Sequence, residues 1–206
     1  MSDRSVLYAG LIVLALAWLG PLPSLVPMSF AAHMALHMTV VGIAAPLIAI
    51  GLAPIVAERL PKSQLMLPIV ISLVDLVVVW GWHAPALHDA ARSIGWVLAI
   101  EQASFFAVSL VVWALALAGT SATRMQAALS GALALFFTSM HMTLLGALLG
   151  LAPRPMFNHV HSGLFGMSGL ADQQLGGVIM LAIGGVIYLA GGLSLVARAL
   201  RREATP

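Results

Sequence analysis

The chain has 206 residues, of which 61% are apolar and only 8% charged, and it has no cysteine. Ordinary soluble domains carry roughly 25% charged residues, so this is the composition of an integral membrane protein. Its charges are gathered between apolar runs, which leaves no stretch long enough for a separate water-soluble domain. Disulfides, thiolate metal sites and thiol chemistry are excluded, and any metal site has to be built from His, Met and carboxylates. The pI near 9.7 reflects nine Lys and Arg at the ends of apolar runs. There they orient a membrane protein, and no nucleic-acid motif accompanies them.

Apolar windows lie at 5–19, 29–52, 65–80, 95–118, 125–151 and 176–197, against the roughly 17–25 residues that a helix needs to span a bilayer. The expectation is an all-α fold: one polytopic transmembrane helix bundle of six spans forming a single domain over residues 1–206. The first window, behind Met1-Ser2-Asp3-Arg4, has the look of a signal peptide. No small-x-small cleavage site follows it, so it is expected to remain as an anchored first helix. Gly20, Pro21, Pro23 and Pro27 break the chain before the second span, for which Ser29 is a suitable N-cap. Gly177, Gly184 and Gly191 recur every seven residues in the sixth span, and Gly146 and Gly150 form a small-xxx-small pair in the fifth. Such seams let helices pack closely.

Arg4, Arg59, Lys62, Arg124, Arg198, Arg201 and Arg202 fall on one side of this topology, and only Arg92 and Arg154 on the other. The positive-inside rule therefore puts both termini in the cytoplasm, and Trp18, Trp80, Trp82 and Trp96 then sit at outer ends as an aromatic belt. All seven histidines lie in the outer half or on the outer surface. Asp75, Glu101 and Asp172 follow the same bias. The chemistry is expected on the outward face.

The run 31–51 carries His33, Met34, His37 and Met38. Residues four apart share a helix face, so His33 pairs with His37 and Met34 with Met38 on the adjoining stripe. Imidazoles in lipid need partners to offset their desolvation, through a hydrogen bond to a neighbouring helix or through a ligand. Together with His141 and Met142 of the fifth span, this thioether and imidazole set suits copper, Cu(I) in particular, better than zinc or magnesium. Met34, Met38 and Met142 also read as gap-fillers in a core. A second group, Trp80-Gly81-Trp82-His83-Ala84-Pro85, closes the third span. Pro85 ends the helix, and Asp75 two turns earlier is placed to support the His83 imidazole. His88 is expected at the exposed surface. Glu101 and Gln102 lie one to two turns into the fourth span, where a carboxylate must be protonated, paired or beside an ion. Asp172 reads as an N-cap of the sixth span or as a supporting residue, and His159 and His161 as access ligands in the preceding loop.

Four of these segments carry a family resemblance. They are His33-Met34-x-x-His37-Met38 running into Ala45-Pro46-Leu47 and Gly51; Trp82-His83-Ala84-Pro85; Leu145-Gly146-Ala147-Leu148 before Ala152-Pro153; and Asp172-Gln173-Gln174-Leu175-Gly176-Gly177-Val178-Ile179-Met180. In this order the chain resembles the CtaG-type membrane assembly factors for cytochrome c oxidase. The family commonly reads Glu-His where this chain has Glu101-Gln102. The resemblance implies a polytopic protein of the bacterial inner (plasma) membrane that is needed to produce active oxidase, with the handling of copper for its metal centres as the expected means. A single-span assembly factor that shares the name is excluded by the absence of cysteine.

The leading expectation is a metallochaperone or scaffold, not an enzyme, that binds copper through His33, His37 and His141 with methionine help and passes it to an oxidase subunit or another assembly factor. Its alternatives are a b-type haem protein with His37 and His141 on opposite sides of the iron, and a structural accessory subunit without a cofactor. A metal or proton transporter ranks last, because the inner halves of the spans are nearly uniformly apolar.

Overall fold

The computed structural model describes residues 3–59, 66–118, 124–157 and 163–200. Among these residues the apolar windows are all helical, with no strand. They form α1 (Asp3–Leu19), a single turn at Leu22–Leu25, α2 (Phe30–Arg59), α3 (Leu67–Trp82), α4 (Pro85–Ser93), α5 (Gly95–Leu117), α6 (Arg124–Gly150) and α7 (Gly169–Leu200). Five of the helices are long and apolar enough to cross a membrane, and α3 with α4, bent by 69° at the break between them, makes a sixth if the pair is one broken span.

Local chemistry sets the helix ends that position the site. Ser29 is extended (φ −149°) and its hydroxyl accepts from the Ala32 N–H at 3.1 Å, so it caps α2. Ala84 is extended (ψ 134°) as a residue before proline should be, and Pro85 then opens α4 without needing its missing N–H. Extended Ile94 ends α4 and leads into α5. The result is a short helix folded back over the end of the bundle where α2 and α5 begin.

α7 begins at Gly169, seven residues before the apolar window, because Ser168 caps it by accepting from the Ala171 N–H at 3.3 Å. Asp172 therefore stands in the first turn and does not cap its own helix. Its carboxylate caps α2 instead: Oδ1 accepts from the Ser29 hydroxyl at 2.7 Å and Oδ2 from the Phe30 N–H at 2.6 Å. Gln173 accepts from the Met156 N–H at 2.7 Å and donates to the Leu149 carbonyl at 3.3 Å, and Gln174 donates to the Ala152 carbonyl at 3.1 Å. These three polar residues clasp α7 to its neighbours, which is why they can interrupt an apolar run.

Below the clasp, α6 and α7 meet along the glycine seam. A Cβ on Gly177 would stand 2.7 Å from the Gly146 carbonyl oxygen, and one on Gly146 would stand 2.8 Å from the Leu181 nitrogen. Only glycine permits that approach. Both α2 and α7 contain one π-helical stretch, Thr39–Ala44 and Met180–Gly184. The two are at matching depth, since Gly42 faces Ile183 and Ile187 while Gly184 faces Met38 and Met142. Such bulges are frequent next to functional residues. In α2 the bulge follows directly on His33 and His37.

Candidate metal centre

His33 and His37 leave α2 one turn apart and lie parallel, with ring centroids 6.1 Å apart and planes within 6°, as the pitch of a helix dictates. Two further imidazoles close on them. His83, at the end of α3, is 5.7 Å from each of the two rings, and His88, on α4, is 5.0 Å from His33 and 6.1 Å from His83. All four histidines are buried. Phe105 of α5 floors the group 4.1 Å from the His37 ring, and Phe30 and Phe157, stacked at 4.9 Å, wall it beside His88.

The hydrogen bonds fix which ring nitrogens are available. His83 Nδ1 donates to the Val79 carbonyl at 2.7 Å, so its Nε2 carries the lone pair, and that atom has no hydrogen-bond partner. Orientation of a ring through its other nitrogen is the usual arrangement of a ligating imidazole. Neither nitrogen of His37 is partnered, nor is Nε2 of His33. Nδ1 of His33 accepts from Nη1 of Arg92, whose Nη2 pairs with the Glu101 carboxylate, and Gln102 donates to the same carboxylate oxygen at 3.2 Å. His33, His88 and Glu101 each bring one potential ligand atom into a group within 4.8 Å of one another. Trp82, donating to Ser104 at 2.8 Å, ties the end of α3 to α5 and so holds His83 in place.

A family model for the cytochrome c oxidase caa3 assembly factor matches residues 3–202. The chain belongs to that family. No curated protein and no solved structure matched it. This oxidase assembly factor is thus a multi-helix membrane protein, with four buried histidines gathered at one end of its bundle.

The other expected site residues of the assembly factor lie elsewhere. His141 is on α6 against Asp75, with Nε2 3.2 Å from Oδ2, and its ring is not among those that join the four histidines. Asp75 accordingly faces His141 and does not support His83, which uses a backbone carbonyl. Met34 points to Gly176, and Met38 and Met142 point to Gly184, so all three face α7 while His33 and His37 face α4 and α5. His159 and His161 lie outside the described residues. His88, expected at the surface, is instead fully buried, because the turn at Pro85 folds α4 back over His33. Arg92 had read only as a loop cation, yet it is the partner that Glu101 requires. The signal for both was the pattern His88, Ala91, Arg92 at i, i+3 and i+4, which marks the buried face of α4.

Proposed function

We propose that the assembly factor binds copper, as Cu(I), in the cluster of His33, His37, His83 and His88, and hands it to a cytochrome c oxidase subunit or to another assembly factor. The observation that carries this reading is the set of buried imidazole nitrogens without a hydrogen bond, at His33, His37 and His83, on rings whose centroids lie 5.7–6.1 Å apart. Burial of such groups costs about 1–3 kcal/mol each if nothing ever occupies them. Imidazole donors suit copper, as they suit zinc, the oxidase-assembly family favours copper between the two, and no catalytic step is required of the protein. The ring spacing favours an ion over a haem, since a macrocycle would have to part rings that are within 5.0–6.1 Å of one another.

The positive-inside rule supports an orientation with both termini in the cytoplasm of a bacterial cell and the cluster toward the extracytoplasmic face. In that orientation an ion arrives and leaves from the extracytoplasmic side, without crossing the bilayer. The first test is metal analysis with an optical spectrum on detergent-purified protein reconstituted with Cu(I) under reducing conditions. About one copper per chain, lost in His37→Ala/His83→Ala, with no Soret band, is the expected outcome. A Soret band without copper would replace copper by haem b, and neither signal would return the protein to a scaffold without a cofactor. In cells, the same double variant should insert normally and leave the oxidase inactive.

A further inference from the structure

The guanidinium of Arg92 occupies the place in this cluster that a bound cation would take. It donates to Nδ1 of His33 and to the carboxylate of Glu101, two of the three groups whose ligand atoms lie within 4.8 Å of one another. Those two atoms are themselves 3.7 Å apart, too close for both to bind a metal ion while the guanidinium bonds to each. A guanidinium is a permanent cation that only donates hydrogen bonds. The His33 lone pair is therefore engaged for as long as Arg92 is in place.

We infer that Arg92 is an internal surrogate cation, which holds the empty copper site in a charge-balanced state and is displaced when a monovalent metal ion enters. This inference rests on the copper reading above and adds to it how the site is gated and which ions it selects. With uncharged imidazoles the cluster carries one positive charge on Arg92 and one negative charge on Glu101. Exchange of a guanidinium for Cu(I) leaves that balance unaltered, with the imidazoles as donors and Glu101 as counter-charge. Exchange for Zn(II) leaves one uncompensated positive charge in a buried site, which is costly. The arrangement thus selects for ion charge.

The fold supplies the means of displacement. Arg92 is on α4, a nine-residue helix bent 69° from α3 and bounded by extended Ala84 and Ile94, with no side-chain cap at its start. Because α4 also carries His88, the displacement is of the Arg92 side chain, with the helix left in place. Arginine can extend its head to a polar surface while its stem stays packed. Asp89, one turn earlier on α4 and only partly buried, electrostatically favours the guanidinium and offers it a carboxylate on the way out.

The test uses purified full-length protein in detergent and Ag(I) as a redox-inert monovalent probe, in chloride-free buffer. Phenylglyoxal labels accessible guanidinium groups, and peptide mass spectrometry reads each site separately. In the free protein Arg92, 7% exposed, should resist labelling, whereas exposed Arg59 and Arg154 react. On saturation with Ag(I), Arg92 labelling should rise several-fold while Arg59 and Arg154 stay constant, and equimolar Zn(II) should produce no rise. Bound Ag(I) with Arg92 still protected would overturn the gate but leave the copper reading standing. A rise with Zn(II) equal to that with Ag(I) would overturn selection by charge. Absence of Ag(I) and Cu(I) binding by metal analysis would overturn both readings. As an independent check, Arg92→Gln should raise apparent Cu(I) affinity by about tenfold or more, because removal of a competing occupant raises the competent fraction. Weaker binding in Arg92→Gln would make Arg92 a clamp needed to build the site.

Discussion

Two polar clusters lie at the same end of this bundle, around the start of α2, and they treat their hydrogen bonds in opposite ways. In the Asp172-Gln173-Gln174 clasp, each side chain is spent on a neighbour: both carboxylate oxygens on Ser29 and Phe30, both ends of Gln173 on Met156 and Leu149, and the Gln174 amide on Ala152. In the histidine cluster, His37 uses neither of its nitrogens, and His33 and His83 use one each. Burial is the same, since Asp172, His33 and His37 are all inaccessible to solvent. The difference shows that buried polarity alone does not mark a functional site. The mark is buried polarity left with unused valence, which folding would not favour and a ligand would.

The largest effect should come at the buried Arg92–Glu101 ion pair of the histidine cluster. Glu101→Ala strands the Arg92 charge and should cost about 3–5 kcal/mol in reversible unfolding in detergent micelles. Arg92→Met with Glu101→Met should recover most of that loss, because replacement of a whole buried pair is often near neutral. Next comes the clasp. Asp172→Ala leaves the Ser29 hydroxyl and the Phe30 N–H without their acceptor, and should cost about 2–3 kcal/mol, read in the same unfolding measurement. Oxidase activity should fall only in step with the amount of folded protein.

His37→Leu should separate stability from function in the other direction. It removes two unpartnered nitrogens and keeps an apolar contact with Phe105, 4.1 Å from the native ring. Unfolding stability should change by less than about 1 kcal/mol or rise. Oxidase maturation, measured by activity per unit of membrane-inserted factor, should nevertheless collapse. A large loss of stability in this variant would make the cluster a second clasp.

How much of this was legible in the sequence follows from the range of each interaction. The helical windows, the Ser29 cap and the glycine seam between Gly146, Gly150 and Gly177 depend on local pattern, and the structure reproduces them. The pairing of His33 with His37 is likewise local, set by the helix repeat. His83 was visible through Pro85, but its supporting group was not, because the Val79 carbonyl four residues back competes with any carboxylate. The partner of Arg92 was hidden by topology. It spans 59 residues to His33, and it depends on a turn whose direction Ala84 and Pro85 permit but do not dictate. His141 misled for the same reason, since depth in the bilayer is readable from a window and the facing helix is not. Asp172 was misread by its position: a cap residue at the edge of an apolar window serves whichever helix start is near, and here that is α2.

The smallest effect bears on whether the clasp is one unit or several bonds. Gln174→Leu removes a single partly buried bond to the Ala152 carbonyl, for which about 1 kcal/mol is the ordinary cost. Ala152 is buried, so the carbonyl has little access to replacement water, which puts the expected loss at the upper end of that range. The cycle of Gln174→Leu with Asp172→Ala then decides the matter. Asp172 reaches α2 while Gln174 reaches the loop after α6, so the two bonds hold different neighbours and their losses should add to within about 0.5 kcal/mol. A coupling of about 1 kcal/mol or more would mean that the start of α7 shifts as a body when either bond is lost. The clasp would then set the register of α2, and with it the spacing of His33 and His37.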